Sequence, residues 1–167
     1  MQKFVSLIER FSRMMTGIAF CVLMVAVIIQ VFGRANLFDA PIWTEELTRY
    51  ALLFVGAFGV GLSYHNGELI NVDMVSESLP NKWPKVFRFI SALATAFLCA
   101  MLIGPAWLYT SIGAYQTSPA LQWRMDFIHA SILVMLISLL VFSAVRALSM
   151  LMKISDGLPE VKEEDTQ

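Results

Sequence analysis

Charge is scarce in this chain. Asp, Glu, Lys and Arg make up 15% of its 167 residues, where soluble domains carry roughly 25%. The net charge is −1, so there is no basic excess to draw a nucleic acid, and no nucleic-acid partner is expected. Cysteine is equally sparse. The two present, Cys21 and Cys99, both fall inside long apolar runs, where small apolar packing residues are the expected role. No zinc-like Cys/His spacing exists, and no metal site is expected. There is no glycine-rich phosphate loop and no recognisable pairing of a nucleophile with a base. The sequence therefore offers no catalytic residues, and neither an enzyme nor a bound cofactor is expected.

What the chain has in excess is hydrocarbon. Hydrophobic residues make up 57%, above the usual ~45–50%. Four apolar runs, at about 14–33, 47–64, 87–110 and 127–152, are long enough to cross a hydrocarbon core that takes about 20 helical residues. The fold class expected is all-α integral membrane, with four transmembrane helices forming one domain over residues 1–153. The lipid bilayer is thus the first partner. Lys3, Arg10, Arg13, Lys82, Lys85, Arg88, Arg146, Lys153 and Lys162 fall on one side of these spans, and Arg34, Arg49 and Arg124 on the other. The richer side is cytoplasmic by the positive-inside rule, so both termini are expected in the cytoplasm. The first run is too long for the apolar part of an ordinary signal peptide, and three more spans follow, so it is expected to be retained.

Residues 1–15 are amphipathic, with Phe4, Ile8, Phe11 and Met15 on one face and Lys3, Ser6, Arg10 and Arg13 on the other. An interfacial helix at the inner surface is expected here, with Glu9 and Arg13 paired at i, i+4. In the inner loop, Asp73 is positioned to cap a short helix ending at Pro80. Pro105 predicts a kink in the third span. Tyr109, Tyr115 and Trp123 read as interface anchors around the second outer loop. Residues 154–167, with an acidic run from Glu160 to Asp165, read as a polar, solvated cytoplasmic tail.

The stretch that stands out is Pro41-Ile-Trp-Thr-Glu-Glu-Leu-Thr-Arg49. On a helix, Glu45 and Glu46 lie four and three residues before Arg49, so both acids are placed to reach one guanidinium. Arg34, at the end of the first run, is on the same side. Arg34, Trp43, Glu45, Glu46 and Arg49 form the candidate site, read either as a surface ion-pair network at a helix start or as a docking point for a partner subunit. Two small-residue faces accompany it: Gly56, Gly59 and Ser63 in the second span, and Ala92, Ala96, Ala100 and Gly104 in the third. Both are expected to pack tightly on other helices, in this chain or a partner.

Ionisable residues all lie near span ends, which suits neither a proton path nor an ion path through the chain itself. A membrane anchor of a redox complex is an alternative reading, but His65 and His129, the only histidines, fall at opposite membrane surfaces and suit no bis-His haem. A small autonomous exporter is a second alternative.

The residues that carry most information are Arg34, Pro41, the run Trp43-Thr44-Glu45-Glu46-Leu47 with Arg49, the glycines that follow, then Val72-Asp73 and Pro80. Together they resemble the small membrane subunit of tripartite ATP-independent periplasmic (TRAP) transporters. The Trp43–Arg49 run is the specific part, and the likeness covers the whole chain in order. One departure is Leu69, where a histidine often stands four residues before the inner-loop Asp, so no role is assigned to a histidine. The resemblance implies two protein partners: a large membrane transport subunit holding the substrate and sodium sites, and a periplasmic substrate-binding protein that captures an organic acid such as sialic acid or a dicarboxylate. It implies that the small subunit broadens a static scaffold and carries no substrate itself.

Overall fold

The computed structural model describes residues 2–35, 41–65 and 83–152. They form four helices: α1 Gln2–Arg34, α2 Trp43–His65, α3 Trp83–Gly113 and α4 Met125–Leu151. All four are long and apolar enough to cross a membrane, over Ser6–Arg34, Trp43–Tyr64, Pro84–Gly113 and Met125–Leu151. The expected all-α class with four spanning helices is what the structure shows. At 1.5 Å per residue, the 33 residues of α1 extend about 50 Å and the 23 of α2 about 35 Å.

The amphipathic N-terminal segment is the first part of α1, and no break separates it from the span that follows. Its Arg13 donates to Glu9 at 2.6 Å, the i, i+4 pair the spacing predicts. Likewise α3 runs unbroken through Pro105. The inner-loop helix expected between Asp73 and Pro80 and the polar tail lie outside the described residues, as do the side chains of His65 and Trp83.

The four helices form a row. α1 packs on α2, α2 on α4, and α4 on α3, giving the spatial order α1–α2–α4–α3. The edge helices each have one main neighbour, so most of their surface faces outward. Apolar side chains such as Phe20, Val25, Phe97 and Met101 are exposed there, as suits a lipid solvent.

The α3–α4 seam is built on Cys99, Ala106 and Leu136, with Ile103, Leu139 and Leu140 against them. Buried hydroxyls on α4 bond their own helix: Ser131 to the Ile128 carbonyl at 2.7 Å, Ser143 to the Leu139 carbonyl at 2.6 Å. Gly113 closes this hairpin. A Cβ there would stand 2.6 Å from His129 Nδ1 and 2.7 Å from the Asp126 nitrogen, so α3 can meet the start of α4 only with a bare Cα. Beside it, the Tyr109 and His129 rings stack with centroids 4.0 Å apart.

The α2–α4 seam has its closest approach at Gly61. A Cβ there would overlap Ser138 Oγ and stand 3.0 Å from Phe142 Cδ2. Ala57, four residues earlier on the same face, is 2% exposed. Further along, the Arg146 guanidinium lies 5.7 Å from the centre of the Tyr64 ring, within cation–π range. On one broad side of the row, Phe11 meets Phe58, Phe58 meets Phe54, and Phe54 meets Phe127, linking α1, α2 and α4. A groove of about 540 Å³ lies along this side, lined by apolar residues including Ile18, Val22, Phe54, Phe127 and Val134.

Candidate docking site at the start of α2

The start of α2 is set by Thr44. Its backbone N–H and its hydroxyl both donate to the Pro41 carbonyl, at 3.1 and 2.7 Å, and the residue is fully buried. Pro41 lacks an N–H to lose and is comfortable at such a start. The two acids then point in different directions, because successive residues on a helix are about 100° apart.

Glu45 faces Arg34 across the α1–α2 gap, with 3.6 Å between Oε1 and Nη2 and both side chains more than half exposed. Glu46 turns instead to the loop between α3 and α4. It accepts from the Ser118 hydroxyl, from the Ala120 N–H at 3.1 Å and from the Leu121 N–H at 3.0 Å. That loop is itself ordered by backbone bonds: Ser118 N–H to the Trp123 carbonyl at 2.8 Å, Met125 N–H to the Gln116 carbonyl at 3.0 Å. Gln122 takes the left-handed conformation, φ 55°. A single carboxylate thus holds three donors of a turn some seventy residues away in sequence, which ties the α1–α2 hairpin to the α3–α4 hairpin.

The fork expected from spacing does not form. Arg49 lies near Glu46 as a neighbouring positive charge, but among the described residues it makes no ion pair with either acid. Spacing alone brings i, i+3 and i, i+4 side chains into reach, and it cannot show that both acids have better partners elsewhere. Trp43 is partly exposed and lines a small apolar pocket with Val25, Ala26 and Ile29 of α1.

The small-residue faces divide. Gly56 and Gly104 have no atom within 4 Å of the point where a Cβ would stand, and Gly59 meets only Thr16 Cγ2 at 3.9 Å. Ser63 is half-buried, Ala92 is buried, Ala96 is half-buried and Ala100 is exposed. Inside the chain, then, the α3 ladder is a contact face only at its Ala92 end. The reason is geometric. A strict four-residue spacing advances about 40° per step around a 3.6-residue helix, so Gly104 lies about 120° from Ala92. A straight seam alternates steps of three and four, as Cys99, Ile103 and Ala106 do, with Ala92 seven residues before Cys99. On α2 the predicted stripe keeps to one face, but that face looks away from α4. The contact residue that spacing missed is Gly61, and the Ala57/Gly61 small-xxx-small pair was its signal. Ser118, the loop hydroxyl that donates to Glu46, had no sequence signal at all.

A family model described as tripartite ATP-independent periplasmic transporters, DctQ component, matches residues 23–153. The chain belongs to this family. The match starts within α1 and covers α2, the loop clamped by Glu46, α3 and α4. No curated protein sequence matches the chain. As a DctQ-family chain it is a small membrane subunit of a TRAP transporter and a multi-pass membrane protein. The family is one of transporter components rather than of enzymes, and works in general with a large membrane subunit and a substrate-binding protein.

Proposed function

We propose that this chain is the static scaffold subunit of a sodium-coupled importer of organic acids, of the sialic acid or dicarboxylate type. A periplasmic binding protein delivers the substrate, the large membrane subunit carries it, and this chain packs beside that subunit without carrying substrate itself. Both termini lie in the cytoplasm of a bacterial inner-membrane protein, which puts the Arg34/Glu45 end and the α3–α4 loop on the periplasmic side.

The observation that carries this reading is the open row. Its charged side chains stand near helix ends, and its middle is filled by Cys99, Ile103, Leu136, Leu139 and Leu140 on one seam and by Ala57, Gly61 and Phe142 on the other. A substrate path needs polar groups at mid-membrane depth, whereas a row with two broad apolar sides suits lateral packing on a larger protein. The test is substrate uptake in liposomes driven by a sodium gradient. Uptake is expected only when the large subunit, this chain and the binding protein are all present. Uptake by this chain alone, or full uptake without it, would overturn the reading.

A further inference from the structure

Arg49 sits six residues into α2, about 9 Å along the helix from Trp43, and is exposed, on a face turned away from the Gly61 seam with α4. A guanidinium at that depth in the outer edge of a bilayer either snorkels to the headgroups or pairs with a counter-charge. The two acids of its own helix have partners elsewhere: Glu45 faces Arg34 across an exposed 3.6 Å gap, and Glu46 spends its oxygens on Ser118, Ala120 and Leu121. Among the described residues Arg49 has no ion-pair partner and meets only the longer-range charge of Glu46, so the positive charge on this face is only partly matched. Seven residues on, in line with Arg49 on the same face, Gly56 is open, with nothing within 4 Å of where a Cβ would stand. Leu52 between them is 59% exposed.

We infer that this face, and not the grooved face opposite, receives a transmembrane helix of the large subunit, and that the helix presents a carboxylate at the depth of Arg49. The inference rests on the scaffold reading above. The argument is charge complementarity: a cation met only at longer range by Glu46 selects an acid, and the notch at Gly56 lets the partner backbone come close enough for that acid to reach it. The groove on the other side has no charged residue in its lining, so it offers a partner's acid nothing.

The experiment is co-expression with the large subunit and purification through a tag on this chain. Wild-type co-purification tests the scaffold reading by itself; its absence would remove that reading and this inference together. Given wild-type co-purification, Arg49→Lys should retain most of the complex, Arg49→Gln should lower its yield about tenfold or more, and Arg49→Glu should abolish it. The isolated chain's thermal stability should be nearly unchanged in Arg49→Lys and Arg49→Gln, because Arg49 makes no ion pair among the described residues, whereas Arg49→Glu adds a third acid beside Glu45 and Glu46 and should lower it slightly. A photo-crosslinking residue at Leu52 should capture the large subunit, and one at Phe54, in the groove, should capture lipid. Capture from Phe54 but not Leu52 would overturn the inference while leaving the scaffold reading intact. So would Arg49→Gln that keeps full co-purification and instead loses bound phospholipid, which would make a lipid phosphate the counter-charge.

Discussion

Gly61 is where a single methyl group should matter most. Substituting alanine drives a Cβ into Ser138 Oγ and places it 3.0 Å from both Ser138 Cβ and Phe142 Cδ2. Ser138 Oγ is buried without a hydrogen-bond partner among the described residues, so nothing holds it in that rotamer and rotation can relieve the worst contact. The two 3.0 Å contacts remain, and Phe142 is nearly fully buried and cannot swing clear. Overpacking of this kind costs about 1–3 kcal/mol, which lowers a melting midpoint by about 2–10 °C in a chain of this size. Ser138→Ala should cost nothing and can stabilise, because it removes an unsatisfied buried hydroxyl. The double variant should recover little of the loss, because Ser138→Ala removes only the contact that rotation already relieves and leaves both 3.0 Å contacts. Gly56→Ala is the control: it meets no neighbour and gains up to about 1 kcal/mol of helix propensity. The assay is the fraction of monodisperse protein left after heating in detergent at a fixed rate. A wild-type midpoint for Gly61→Ala would show that α2 and α4 do not cross at this point.

Three further outcomes are expected. Glu46→Ala strips three donors of one acceptor, so the 114–124 loop should become more open to amide hydrogen exchange and proteolysis at its tip, while Glu45→Ala leaves the loop as it was. Arg34→Ala breaks a long, solvent-exposed ion pair and should change stability by less than about 1 kcal/mol; a larger loss would mean that Arg34 does more than the geometry shows. For topology, a thiol reagent that does not cross membranes should label a cysteine placed at the exposed Tyr115 and miss one placed at Asn81. The reverse pattern would invert the charge-based orientation.

The spanning helices were legible because lipid imposes a simple rule: about 20 apolar residues in a row must be helical. The family was legible because Trp43–Arg49 sits in an unusual setting, charge at the mouth of an apolar run. Partner choice within the site was not. Glu45 and Glu46 are adjacent and chemically alike, yet one faces a cation and the other a set of donors contributed by a turn far along the chain. Nothing local distinguishes them, because the difference is made by where α3 and α4 come to rest. Helix faces were half legible for a similar reason. Small residues mark close approach, but Gly56 and Gly61 look equivalent until the direction of α4 is known. The row itself, α1–α2–α4–α3, has no counterpart in spacing or composition.

That order makes the molecule two clasped halves. The α1–α2 hairpin and the α3–α4 hairpin touch chiefly along α2 and α4, and the clasp is pinned near its ends: a carboxylate gripping a turn at Glu46, and a bare backbone pressed on a serine at Gly61. Two separately synthesised pieces, residues 1–65 and 83–167, each enter the bilayer as a self-contained pair of helices and should find one another there, rebuilding the intact subunit without a peptide bond between them.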